Sequence, residues 1–368
     1  MHGLSPLPLP HPPPGLAIRL ALALRAFLLR LADRLVPGEV GISQHAIGVA
    51  WTASLGAIAR MRIADVLGEH SLSAEEIAAR TDTHADAIHR MLRALSANGV
   101  FRLRGDGRFE NNRLSQALQS NHPSRAREWC AYFSSSSNVH AWLAVEHTLR
   151  SGKNGFEHIH GKSVWEWFDV YPDERETFAQ VMLGFTLRDA PFIAQLYPWN
   201  EIASVCDVGG GSGALLSELL VRYPHLTGVL CDGEGVASLA RQLMNARGVS
   251  DRVTCVAGNF FENVPPGSDA YLLKKILHDW DDVRCLTILR NIRAAMRSRQ
   301  RLIVAESIVA KNDQSIGALS DVQMMMVCAG GRERSVEEYQ ALFLQCGFRP
   351  GRVFEEKPLI GLLEAWAV

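Results

Sequence analysis

The stretch Val205-Cys206-Asp207-Val208-Gly209-Gly210-Gly211-Ser212-Gly213-Ala214 reads as a buried strand that runs into a glycine turn and opens a helix. Glycine lacks a Cβ, so a tight strand-to-helix crossing of this kind lets the main chain approach a ligand, and the helix N-terminus offers it unpaired N–H groups. The spacing alone leaves the ligand open. Gly209, Gly211 and Ala214 fit the dinucleotide form G-x-G-x-x-A, while Gly209, Gly211 and Gly213 fit the G-x-G-x-G turn of S-adenosylmethionine enzymes. Further on, Leu226-Thr227-Gly228-Val229-Leu230-Cys231 is an apolar strand that delivers Asp232, a carboxylate suited to both hydroxyls of a ribose. Both cofactors carry an adenosine, so the choice stays open at this point.

Working outward, 368 residues with 47% hydrophobic and 21% charged content describe a chain long enough for two domains with sizeable cores. A formal net charge of -1 argues against a dedicated nucleic-acid binder, which carries a strongly basic domain. The seven cysteines include no C-x-x-C pair, and they read as reduced core residues of a cytoplasmic protein. Leu7 to Pro14 is proline-rich, and Leu16 to Val36 is an apolar helix with Arg19, Arg25, Arg30 and Arg34 scattered through it. Those charges disfavour a signal peptide and a membrane span alike. The segment reads as an extra helix packed on the body or on a partner subunit, with a loose membrane-surface helix as the alternative.

From Ile42 to about Leu118 the pattern is helical, with Ser73 and Glu76 at capping-box spacing and Gly99 closing the helix of Met91, Leu92 and Leu95. Val100 to Leu103, then Gly105-Asp106-Gly107 and Phe109, read as a two-stranded wing, so the whole is a winged-helix pattern. Taken alone it also suits a transcription regulator offering Arg90 and Arg93 to phosphate. Arg127 to Trp199 is helical and aromatic-rich, and packing explains most of those rings. Beyond Asn200, apolar strands alternate with amphipathic helices, which implies a parallel sheet covered on both faces. Ligands of such sheets sit at the carboxyl ends of the strands, where Gly209, Asp232, Asn259, His278 and Glu306 all fall.

What separates the cofactors is the series Leu272-Leu273-Lys274-Lys275-Ile276-Leu277-His278-Asp279-Trp280, then Glu306, then Gly330-Gly331-Arg332-Glu333-Arg334-Ser335. In this order and spacing it resembles the S-adenosylmethionine-dependent class I O-methyltransferases of the caffeate, acetylserotonin and bacterial polyketide-tailoring type. The resemblance implies an α/β, Rossmann-like class I methyltransferase domain with an N-terminal all-helical winged-helix dimerisation domain. From about Ile42 onward it divides the chain into a dimerisation domain (42–120), a helical acceptor-pocket region (121–199) and a cofactor-binding catalytic domain (200–368), preceded by the proline-rich tail and extra helix (1–41). By the same resemblance His278 takes the acceptor proton, and Glu306 and Glu333 flank and orient its ring. Gly209, Gly211, Asp232, Asn259, Phe260 and Lys274 hold the cofactor; Phe178, Met182, Met325 and Asp279 meet the acceptor. The implied partners are a hydroxylated aromatic small molecule and a second copy of the chain, with no nucleic acid and no stable membrane insertion. The chain departs from the family at Gly233-Glu234, at Asn259 where aspartate is common, at Lys275 where tryptophan is frequent, and at Cys328 where plant members carry asparagine.

The chemistry agrees with the residue types. A phenol has a pKa of about 10 and is a poor nucleophile while protonated, whereas an imidazole near 6.5 accepts its proton at neutral pH. Asp279, Asp281 and Asp282 read as the cap of the following helix rather than a metal site, and no metal is implied. The expected reaction is methylation of a phenolic or enolic hydroxyl on an aromatic secondary metabolite, with S-adenosylhomocysteine as coproduct. Three rivals differ: a relative that binds the same cofactor for hydroxylation or pericyclic chemistry, a ligand-sensing winged-helix regulator, and an NAD-dependent oxidoreductase.

Overall fold

The computed structural model describes residues 7–309, 316–356 and 360–368. The chain forms two compact units, one of residues 1–25, 140–167 and 186–368, the other of residues 26–139 and 168–185.

The second unit is helical apart from one short ribbon. Ser73 caps the helix Ala74–Thr81 through a reciprocal pair of bonds with Glu76, and the helix Ala85–Ala97 buries Ile88, Leu92 and Leu95 on one stripe. The chain then makes the two-residue strands β1 (Arg102–Leu103) and β2 (Phe109–Glu110), paired antiparallel. Phe101, Phe109, Ile63, Leu67, Ile77 and Leu92 share its core.

The first unit holds a seven-stranded sheet. Its strands are β3 (Ser204–Val208), β4 (Thr227–Asp232), β5 (Val253–Ala257), β6 (Ala270–Lys274), β7 (Arg301–Glu306), β8 (Phe348–Glu356) and β9 (Ile360–Ala367), in the order β5-β4-β3-β6-β7-β9-β8. All run parallel from β5 to β7, and β9 is antiparallel to both its neighbours, β7 and β8. Strand alternation sorts side chains into two separate cores. Val205, Leu272 and Ile303 enter the layer on one face; Cys206, Val208, Tyr271, Leu273, Leu302 and Val304 enter the layer on the other. Each such Leu or Ile contributes about 2 kcal/mol by leaving water, so the sheet is firmly placed and its carboxyl edge is a rigid platform.

The apolar helix forms at Gly15–Arg34 and buries none of its residues, with Leu20, Leu24 and Phe27 all more than half exposed. Only Ile18, together with Leu9 before it, packs partly on the core that holds Val205. Among the described residues no helix is long and apolar enough to cross a membrane.

Candidate active site

The glycine turn follows β3 at the carboxyl edge. Gly209 N–H donates to the Cys231 carbonyl at 2.8 Å, and the Gly211 and Gly233 N–H groups donate to the two oxygens of Asp232 at 2.8 and 2.6 Å. Gly209 has φ +70°, and a Cβ there would lie 2.5 Å from Ile276 Cδ1 and 3.5 Å from the Phe260 ring. Its bare backbone therefore lets the segment carrying His278 close on the turn, with Phe260 beside it. Asn259 spends its amide locally, accepting from Phe261 N–H and donating to Glu262, both at 3.0 Å. Lys274 is largely buried and directs its ammonium to Thr186 at 3.0 Å and Asp189 at 3.5 Å.

Asp207, in the strand just before the turn, is 1% exposed and neither carboxylate oxygen has a hydrogen-bond partner. Burial, aided by Asp232 and opposed by Lys274, lifts its pKa to about 7. A buried carboxyl in an apolar layer is costly, and sites that tolerate one usually have a use for its charge. In the sequence Asp207 stands out as a lone acid inside an otherwise apolar strand, and the motif spacing assigns it no role.

His278 stands in the short turn after β6. Its Nδ1 is 3.2 Å from Glu333 Oε1 and 3.8 Å from Glu306 Oε2, and its Nε2 is 3.5 Å from Asp279 Oδ1. Glu306 holds more than the ring: its other oxygen accepts the Ile276 and Leu277 N–H groups at 3.1 and 3.0 Å, pinning the turn to the end of β7. Glu333 Oε1 also accepts from Ser320 Oγ at 2.8 Å and lies 3.6 Å from the Lys275 ammonium. Burial works against charge on His278, yet Glu306, Asp279 and Glu333 outweigh it and lift the ring to about 9. Burial raises the Glu333 carboxyl, but the facing imidazole and Lys275 bring it below the usual range. On the opposite side burial pushes Asp279 up to about 6 and the nearby Cys328 thiol, 3.8 Å from it, well above its ordinary value.

Two further residues support the turn without any local sequence signal for that role. Arg334 is 1% exposed and donates to the carbonyls of Leu277 and Trp280 at 2.9 and 2.8 Å and to Asp282 at 2.7 Å, so it clasps the His278 turn from below. Gly331 is the other, since a Cβ there would sit 2.6 Å from Cys328 Cβ and 3.0 Å from the His278 carbonyl. The glycine pair thus lets Arg332 N–H reach that carbonyl at 2.8 Å and delivers Glu333 to the ring. Lys275 adopts φ +57°, a left-handed conformation uncommon for a side-chain-bearing residue, and its ammonium bonds Ser307 Oγ.

The structure therefore gathers Gly209, Gly211, Asp232 and Phe260 at one edge, with His278, Glu306, Glu333 and Asp279 joined to them through Ile276. Met325 lies on the helix Ile316–Val327, which also carries Ser320 and Asp321, the latter accepting Glu333 N–H at 2.8 Å. Phe178 and Met182 belong to the other unit, where the Phe178 ring packs on Tyr132 at 5.5 Å and Phe168 at 5.0 Å. Asp281 caps the helix Asp282–Ala295 by accepting Arg284 N–H at 2.8 Å. His278, Glu306 and Glu333 bring ligand atoms within 4.8 Å of one another, a spacing a metal could share. With Lys275 beside Glu333 and two N–H groups already on Glu306, the set suits an imidazolium better than a divalent ion.

An acid at the end of β4 and an unpartnered carboxyl beneath the glycine turn fit a cationic, ribose-bearing ligand. With the single antiparallel strand β9, they define a class I methyltransferase domain. Comparison with known proteins agrees: a family model for the O-methyltransferase domain matches residues 142–349, and one for the O-methyltransferase dimerisation domain matches residues 43–121. The chain is 33% identical to the mitomycin biosynthesis 6-O-methyltransferase of Streptomyces lavendulae, over 82% of this chain and 87% of that one. It is 32% identical to the phenazine O-methyltransferase PhzM of Lysobacter antibioticus, over 90% and 96%. The crystal structure of the neocarzinostatin-biosynthesis O-methyltransferase NcsB1, with S-adenosylmethionine and 2-hydroxy-5-methyl naphthoic acid, superposes with a TM-score of 0.76 at 30% identity, over 87% and 96%. The protein belongs to the S-adenosylmethionine-dependent O-methyltransferase family. It is a methyltransferase that uses S-adenosylmethionine, and its matched dimerisation domain supports a homodimer. These matches do not favour the regulator, oxidoreductase or non-methylating readings.

Proposed function

We propose that His278 Nε2 removes the proton from a phenolic or enolic hydroxyl of a polycyclic or substituted aromatic acceptor, and that Glu306 and Glu333 are positioning residues for the ring. The observation that carries this is the asymmetry of the imidazole, with Nδ1 hydrogen-bonded to the buried Glu333 carboxylate and 3.8 Å from that of Glu306, and Nε2 facing Asp279. A carboxylate accepting at Nδ1 fixes that nitrogen as the donor and leaves Nε2 as the base. S-adenosylmethionine supplies an electrophilic methyl group on a sulfonium. Gly209, Gly211, Asp232, Asn259, Phe260 and Lys274 would hold it, and Asp207 balances positive charge beneath the turn.

With a pKa near 9 the ring carries a proton at neutral pH in the free protein. A positive charge bound nearby disfavours imidazolium, by about one or two pKa units at an effective dielectric near 20, and so returns the ring toward the neutral base. Once the acceptor proton arrives, Glu306, Glu333 and Asp279 stabilise the imidazolium, and the proton leaves to solvent with product. Met325 and Asp279 are assigned to acceptor contact, and so, on the family resemblance alone, are Phe178 and Met182. We also place the protein in the cytoplasm, with 42–120 as its dimerisation domain, 121–199 contributing to the acceptor pocket and 200–368 as its catalytic domain.

The test offers a panel of hydroxylated naphthoates, phenazines and amino-hydroxybenzoates with methyl-labelled S-adenosylmethionine, read by mass spectrometry. Gain of one methyl at an oxygen supports the reading. Methylation confined to nitrogen, or none across the panel despite S-adenosylmethionine binding, refutes the acceptor class.

A further inference from the structure

Glu218 is fully buried in the middle of the helix Ala214–Arg222, and the chemistry above makes no use of it. Its carboxylate accepts from Arg222 Nη2 at 2.8 Å and Arg247 Nη2 at 2.6 Å, and both oxygens accept the main-chain N–H of Leu9, at 3.1 and 3.0 Å. Two guanidiniums converge on this one carboxylate. The proline-rich segment gives them carbonyl oxygens: Leu9 O accepts from Arg222 Nη2 and Leu7 O from Arg247 Nη1, each at 3.1 Å. The Gln195 amide meets His11 Nδ1 at 2.7 Å, and the Leu9 side chain packs on the core that includes Leu215 and Leu219.

These contacts read backbone atoms and one apolar anchor. Pro8 and Pro10 have no N–H, so Leu9 carries the one main-chain donor of that tripeptide, and it goes to Glu218. Proline also presets an extended backbone, which lowers the entropy lost on docking. We propose that Glu218, Arg222 and Arg247 form a recognition site for an extended, proline-flanked peptide, filled here by residues 7–11 of the same chain, and that filling it braces the cofactor cradle. The bracing follows from where the site lies. The helix Ala214–Arg222 starts at the glycine turn, the helix Glu234–Ala246 starts just after Asp232, and Arg247 caps the far end of the latter. The Glu218 to Arg247 bond therefore ties together the two helices that begin at the cofactor, and the peptide closes over that tie.

The test uses the full chain. L9P keeps an extended polyproline backbone but removes the donated N–H and the leucine anchor, which should vacate the site. A fluorescent, N-acetylated peptide of residues 7–14 is titrated by anisotropy into the parent and into L9P, and S-adenosylhomocysteine affinity is measured by calorimetry in each. L9P should bind the peptide at least about tenfold more tightly than the parent, whose own segment competes at high effective concentration. The same peptide with N-methyl-leucine at the position of Leu9 should not bind. S-adenosylhomocysteine should bind L9P about threefold more weakly and regain parental affinity when the peptide is added, as reciprocal coupling demands. Equal peptide binding by both proteins, or none by L9P, overturns the recognition site; peptide binding with no change in cofactor affinity overturns the brace.

Discussion

Protonation at the active site depends on which atoms face His278. Because three carboxylates raise the ring to about 9, folding gains stability from it that is complete below about 6.5 and lost as pH rises through 9. The ring should titrate near 9 by NMR in the free protein, fall on adding S-adenosylmethionine, and move little with S-adenosylhomocysteine, which lacks the sulfonium charge; an equal response to both ligands would remove the charge argument. His278→Ala should lower turnover on a phenol by about 100-fold while S-adenosylhomocysteine affinity holds, since a general base acts on the acceptor. After that change, Glu333→Gln should cost little more, and additive losses would reveal a separate role for Glu333. Asp207 carries the opposite sign to a paired carboxylate. Its folded pKa near 7 lies above the ordinary value near 3.9, so stability is fully present below the lower figure and lost as pH climbs through the upper one. Asp207→Asn should therefore raise the melting temperature more at pH 8 than at pH 5, as followed by circular dichroism.

Single elements hold these groups in place, and their ends do most of the positioning. The His278 turn is suspended between Glu306 at the end of β7, Arg334 below it and the Arg332 N–H on its carbonyl. Arg334→Met removes a buried guanidinium, takes its N–H groups from the Leu277 and Trp280 carbonyls and leaves the Asp282 carboxylate without that partner, at a cost of about 3 kcal/mol. It should lower kcat while changing S-adenosylhomocysteine affinity less than threefold, because the turn moves and the cradle stays; the contrary pattern would place Arg334 in cofactor binding. Asp281→Ala should cost about 1 kcal/mol in denaturant unfolding, the usual loss of an N-cap.

At the scale of the whole molecule, the helix Gly15–Arg34 exposes Leu20, Leu24, Leu28 and Phe27 and buries none of its own residues. A stripe of that size is expected to find an apolar partner in a homodimer. The full chain should sediment as a dimer, and the triple change Leu20→Glu, Leu24→Glu and Leu28→Glu should shift it toward monomer at micromolar concentration. A dimer of unchanged stability would show that the helix lies outside the interface.

Local pattern in the sequence was enough for the glycine turn, the alternating strands, the Ser73 and Asp281 caps, and the order in which His278, Glu306 and Glu333 arrive. Each of these follows from sterics or periodicity within a few residues, or from a motif whose spacing is specific. Which nitrogen of His278 is gripped, that Glu306 spends one oxygen on the turn backbone, and that Arg334 clasps the same turn were decided only when β6, β7 and the Gly330–Ser335 segment met in space. The same holds for Asp207, whose unpartnered state is a property of everything packed around it. Leu9 shows the distance most plainly, since its N–H finds Glu218 more than two hundred residues away. Such pairings depend on the folded chain because a hydrogen bond or buried charge is fixed by the geometry of its surroundings, and sequence proximity carries no record of that geometry.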